Sequence, residues 1–316
     1  MLLAIGLLIV FSVTRVIFVP QGDLLAFGAL TAATLQSGQV PGTLWLLDGL
    51  AVLGLLTSLR RAPMRTALTW GVYPVVLTAA VLFLVRLRQP ALSILLALAI
   101  VTPIGPLIWR FAFRPVADAS VLALLIIAMA LHFVLAGLGL VFFGPEEASA
   151  PAITDASFQF GQLTVSGQSL CVLACCAVLV AGLRWFFGAT IHGKALRAAA
   201  SDRLGARLVG IDAAATGALA FALASFIAAL AGVLIGAVTP LSYDAGFDIG
   251  LKGFVAAIMG GLASYPLAAA GAVLVGVLES LGSFWASAYR DVIVFTLLIP
   301  VLAWLSLRAG SGEERA

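Results

Sequence analysis

Charge is scarce in this chain. Of its 316 residues only 10% are Asp, Glu, Lys or Arg, while 63% are hydrophobic. Soluble globular domains carry about 25% charged residues, so that class is excluded. The formal net charge of +3 is too small and too scattered for a nucleic-acid partner. Cysteine occurs three times, and Cys171, Cys175 and Cys176 share one apolar run, "LCVLACCAVLV". The first two share a helix face, the wrong setting for a zinc site or a structural disulfide, and all three read as small apolar residues. The chain also lacks a glycine-flanked serine elbow, a His-Glu metal helix and a convincing carboxylate pair, so no enzyme, metal site or cofactor is expected. No basic n-region or small-residue cleavage site marks the start, so the first segment reads as a retained membrane helix.

What is abundant is apolar sequence in long runs. The mean hydropathy is +1.17, and runs near the length of a bilayer core recur throughout. They lack the strict alternation of barrel strands. The expectation is an all-α fold, a polytopic transmembrane helical bundle, with residues 1–316 as one domain because no linker or low-complexity segment divides them. Spans are expected over 1–18, 43–59, 67–85, 91–109, 120–143, 170–187, 214–238, 266–281 and 291–307. Two shorter pieces, 24–35 and 250–262, would be half-helices or re-entrant segments, tolerated only where protein or water satisfies the broken backbone. Gly232 and Gly236 form a small-xxx-small pair suited to close helix packing.

Basic residues in short loops mark the cytoplasmic side. Arg184, Lys194, Arg197, Arg203 and Arg207 place the loop around 188–213 there, whereas Glu146, Glu147 and Asp155, with no Lys or Arg among 144–168, face that loop outward. Counting spans from these anchors puts Arg60, Arg61, Arg65, Arg110, Arg114, Arg308 and Arg315 inside. Arg86 and Arg88 fall outside, against the rule. Met1 is inside if residues 1–35 cross once with a break, and outside if they cross twice.

The stretch "VIFVPQGDLL", Val16 to Leu25, interrupts the first apolar region. Pro20 removes a backbone donor and Gly22 relaxes the chain, so a helix break is expected at the translocation path, with a plain interfacial turn as the competing reading. Gln21 and Asp23 would satisfy freed backbone groups or face water, and Asp23 suits the N-terminus of a half-helix. Ionisable groups within the membrane are costly unless paired or hydrated. Asp23, Lys252 and Glu279 are therefore candidates for a substrate pathway or for structural pairing, while Asp48 falls near an outer interface. His132, in an apolar run, reads as a helix-to-helix hydrogen bond, and His192 as solvated. Gly188 to Ala195, "GATIHGKA", imitates a phosphate loop but lacks the closing hydroxyl and follows a helix. The same region continues as a basic, Ala-rich helical pattern from Gly193 to Ile211. Ala199, Ala200, Ala206, Leu208 and Val209 give it a small, apolar surface, and Asp212 is a plausible N-cap for the next span.

Several of these stretches resemble the permease subunits of branched-chain amino acid ABC importers. Ala200, Asp202, Ala206, Gly210 and Ile211 match the family pattern A-x-D-x-x-x-A-x-x-x-G-I. "GLKGFVAAIMGGLASYP" matches its G-x-K-A-F run through Gly250, Lys252, Phe254, Gly260, Gly261, Ser264 and Pro266. "FAFRP" at 111–115 and "FFGPEE" at 142–147 resemble its L-x-Y-R-P and F-G-P elements. The opening stretch resembles V-I-N-F-A-H-G-E-F, matched at Val16, Ile17 and Gly22 and by charge at Asp23. Phe18, Pro20 and Gln21 stand where the family has Asn, Ala and His, and 28–110 has room for an added helix pair.

The resemblance implies a multi-pass protein of a bacterial-type inner membrane. It also implies partner ATP-binding cassette subunits, a second permease copy or homologue, an extracytoplasmic solute-binding protein and no catalysis in the chain itself. Ala200, Asp202, Ala206, Gly210 and Ile211 would form the helix that couples to the ATPase; Gln21, Gly22, Asp23, Lys252 and Glu279 are expected along the substrate pathway. The alternative is an ion-coupled secondary transporter using Asp23 or Glu279.

Overall fold

A computed structural model describes residues 1–58, 71–154, 156–160, 163–262 and 264–285, together with 292, 295–296 and 300. The expected span 291–307 and the loop with Arg60, Arg61 and Arg65 lie outside the described residues, as do Arg308 and Arg315. The helices are α1 (Leu2–Thr14), α2 (Gln21–Gln36), α3 (Gly42–Ser58), α4 (Tyr73–Leu84), α5 (Pro90–Val101), α6 (Ile104–Ile108), α7 (Val121–Phe143), α8 (Gly167–Ala189), α9 (Ile191–Ser201), α10 (Arg203–Leu208), α11 (Ala213–Gly236), α12 (Ala245–Met259) and α13 (Tyr265–Trp285). Five runs, Pro90–Val116, Val121–Phe143, Gly167–Ala189, Ala213–Gly236 and Tyr265–Phe284, are long and apolar enough to cross a membrane. The all-α, polytopic reading holds. One departure is a small antiparallel hairpin in the acidic loop, β1 (Ser157–Phe160) with β2 (Leu163–Ser166).

Short polar side chains set the helix starts. Ser120, Ser166, Thr190, Asp202 and Asp212 each accept a hydrogen bond from a backbone N–H in the first turn of α7, α8, α9, α10 and α11 respectively. The run Pro90–Val116 bends where Pro103 and Pro106 remove donors. The Thr102 carbonyl that Pro106 cannot reach accepts instead from Ser225 Oγ of α11, at 2.8 Å.

At the centre lies α2, packed by α1, α5, α11 and α12. Its Leu24, Leu25, Phe27, Leu30 and Leu35 are buried. Lipid is as apolar as leucine, so helix association here rests on close packing and not on burial from water. Small residues provide that packing. Gly232 of α11 lies against the Leu25 carbonyl, and Gly236 against Ala29, as their spacing predicts. Gly28 meets the backbone at Ala229 in return. The expected short piece 24–35 is thus a 16-residue helix starting at Gln21, walled by protein on all sides.

Candidate functional site

The break after α1 is longer than the Pro-Gly signal suggested. Arg15 adopts a left-handed conformation, φ 60°, and Val16 to Pro20 run without helix before α2 begins. Phe18 is fully buried and packs on Phe221 at 4.6 Å and Phe113 at 6.2 Å. Where the resembled family carries an amide, this chain has an apolar plug. The backbone freed by the break is satisfied locally, with Val16 N donating to Thr14 Oγ1 and Gly22 N to the Val19 carbonyl.

Three expected pathway residues face neighbouring helices. Gln21 is buried and its Nε2 donates to the Leu3 carbonyl at 3.3 Å, tying α2 to α1. Gly22 opposes Gly246 of α12, and a Cβ on either would strike the other's carbonyl oxygen. Asp23 is 1% exposed, and both its carboxylate oxygens lie 2.9 Å from His132 Nδ1 on α7. The His132 ring stacks on Phe247 at 4.4 Å. The helix-to-helix role expected of His132 is observed, with Asp23 as its partner. Sequence reading missed this pairing, although two costly groups in separate apolar segments are a signal to look for one.

Lys252 and Glu279 behave differently. Lys252 Nζ and Glu279 Oε1 are 2.6 Å apart, joining α12 to α13. The pair borders a cavity of about 630 Å3 lined by residues of α1, α2, α8, α11, α12 and α13. Asp248 lies on the same face of α12, one turn before Lys252. Gln21, Gly22 and Asp23 do not line it. Thr239, Pro240 and Leu241 are part of its lining, and Leu241 pairs with Ala148 of the acidic loop, so the cavity reaches toward the face expected to be outward.

On the opposite face, the basic segment forms two short helices and not one. Asp202 ends α9 and caps α10, its Oδ1 accepting from Leu204 N at 2.9 Å. Gly210 takes φ 85°. Gly210 N donates to the Arg207 carbonyl and Ile211 N to the Ala206 carbonyl, the Schellman pattern that closes a helix with a left-handed glycine. Ala206 is buried and Ala200 partly so. The motif residues therefore build the scaffold, and Leu204, Leu208 and Val209 form its exposed apolar tip. Arg203, which sequence marks only as one of the basic residues of the cytoplasmic loop, donates from Nε and Nη2 to the Val13 carbonyl at 2.9 and 2.7 Å, clasping α10 to the end of α1. Its burial, with Arg15 and Arg207 near, lowers its pKa from the usual guanidinium value. Among the described residues, no group of three or more His, Cys, Asp or Glu could hold a metal ion.

Comparison with known proteins gives a family. The family described as "Branched-chain amino acid transport system / permease component" matches residues 1–302. BraD, a high-affinity branched-chain amino acid transport system permease protein of Pseudomonas aeruginosa, is 30% identical over 243 residues, 73% of this chain and 79% of its own. LivH, the similarly described protein of Escherichia coli K12, is 32% identical over 216 residues, 65% of this chain and 69% of its own. LivH of Salmonella typhimurium gives the same identity and coverage. No solved structure gives a significant match. The chain belongs to the family of permease components of branched-chain amino acid transport systems.

Proposed function

We propose that this permease component imports branched-chain or closely related amino acids across a bacterial-type inner membrane. It would work with two ATP-binding cassette subunits, a second permease copy or homologue and an extracytoplasmic binding protein. Hydrolysis of ATP belongs to the separate cassette subunits. The observation that carries the reading is the capped pair α9 and α10, whose apolar tip of Leu204, Leu208 and Val209 stands exposed on the basic face. A secondary transporter has no use for such a tip. Closure of the cassette subunits would push on residues 188–213 and switch access between the two sides. Ala200, Asp202, Ala206, Gly210 and Ile211 hold that surface in shape, and Lys252 and Glu279 border the solute path. The pairing of Asp23 with His132 and of Glu279 with Lys252 disfavours either acid as an ion-coupling site.

The test is uptake by the full complex in proteoliposomes, together with Gly210→Arg. Gly210 has open space beyond its Cα but a left-handed backbone, which side chains other than glycine adopt at a cost of about 1 kcal/mol or more. The variant is expected to insert normally and to lose both co-purification with the cassette subunits and stimulated ATP hydrolysis. Normal coupling in that variant, or uptake by the isolated chain on an ion gradient without ATP, would defeat the proposal.

A further inference from the structure

The cavity beside Lys252 and Glu279 has the make-up of a site for a small zwitterion. Its volume, about 630 Å3, lies within the range of roughly 300–1,000 Å3 typical of small-molecule sites. Leu25, Leu234, Ile249 and Val275 supply apolar walls, and among the described lining residues Lys252 brings a basic side chain, with Asp248 and Glu279 as the acids. The helices that carry the pair touch closely at one end, where Gly260 meets Ala268 and Gly271 meets Met259. Toward the other end they leave the space that the cavity occupies. Asp23 is sealed by its neighbours, at 1% exposure. Lys252 and Glu279 keep 15% and 31% of their side-chain surface exposed.

We propose that this cavity binds an α-amino acid with an apolar side chain during import, by exchanging the Lys252–Glu279 ion pair for two ion pairs to the substrate. The inference rests on the importer reading above. The substrate carboxylate takes the Lys252 ammonium, and the substrate ammonium takes Glu279, with Asp248 one turn away as a second acceptor. The apolar side chain lies against the leucine, isoleucine and valine walls. Opening the pair for a ligand with a single charge takes from one of the two residues the counter-charge that the other supplied, which is unfavourable in a weakly polar site. A zwitterion replaces both partners at once. The exchange thus selects the two-charge end of the ligand, and the walls select its side chain.

The experiment uses the permease assembled with its cassette subunits in nanodiscs, without the binding protein. Thermal unfolding is followed with millimolar L-leucine, with isoamylamine, which lacks the carboxylate, and with isocaproate, which lacks the ammonium. Leucine is expected to raise the unfolding temperature, and neither analogue should. Lys252→Gln and Glu279→Gln should lose the shift. The double variant Lys252→Met with Glu279→Leu, which removes the pair without leaving a bare charge, should assemble normally and lose it too. A leucine shift equal in wild type and double variant, equal shifts with either analogue, or no leucine shift in a complex that imports leucine would each overturn the site while leaving the importer reading intact. A complex that imports no amino acid would overturn both.

Discussion

Asp23 and His132 lie 109 positions apart, yet each is tolerable in an apolar interior because of the other. Removing one partner of a buried pair leaves an uncompensated polar group, at a cost of about 3 kcal/mol, whereas replacing both with apolar groups is often nearly neutral. His132→Leu and Asp23→Leu should therefore each lower thermal stability of the detergent-solubilised complex by more than the double replacement does. Additive losses would show that the two groups do not depend on each other. Sequence alone exposed both as costly residues but could not join them, because nothing local tells which distant helix supplies the partner. The Lys252–Glu279 pair was equally hidden, although both residues stood out singly. Phe18 shows the reverse. Its departure from the family pattern was visible at once, but only its contacts with Phe113 and Phe221 reveal what replaced the amide.

Helices α2 and α12 cross where two glycines face each other, so that crossing has no room for a side chain. Gly22→Val should strike the Gly246 carbonyl and destabilise the bundle by about 1–3 kcal/mol, as overpacking does. Its measure is the yield of monodisperse complex, with an unchanged yield counting against so tight a crossing. The coupling helices were legible in outline, since Asp212, Gly210 and the alanines carried position-specific signals. Their division at Asp202 was not, because a residue that ends one helix and caps the next reads as part of either. Arg203 was passed over for a different reason. In sequence it is one of several basic residues in a cytoplasmic loop, and its bond to the Val13 carbonyl spans 190 positions. Arg203→Ala should preserve insertion and co-purification with the cassette subunits but raise the ATP hydrolysed per solute imported several-fold. Unchanged stoichiometry would relegate the clasp to local packing.

The described residues present two chemically distinct faces, with the acidic loop at one and the basic helix pair at the other. Gln36 of α2 fixes the place of Arg88, since its Nε2 donates to the Arg88 carbonyl near the end bearing Gly42 and Phe142. Arg86 and Arg88 thus lie with the acidic loop, where the span count placed them against the positive-inside tendency. A cysteine introduced at Glu147, in a chain whose own three cysteines are changed to alanine, should react with a membrane-impermeant maleimide from outside. One at Arg207 should react only after permeabilisation, and the opposite pattern would invert the topology. The apolar runs and the separation of basic from acidic loops were accessible to sequence because they depend on summed hydropathy and charge; cavity shape was not, because it depends on which helices diverge. Helix α1 is held at both ends. Arg203 holds one end through the Val13 carbonyl, Gln21 holds the other through Leu3, and Leu2 and Leu3 line the cavity. A 13-residue helix is about 20 Å long, so a tilt of about 10° imposed at the clasp would carry its far end roughly 3 Å. By that leverage, a small push on the basic face would alter the cavity wall on the other.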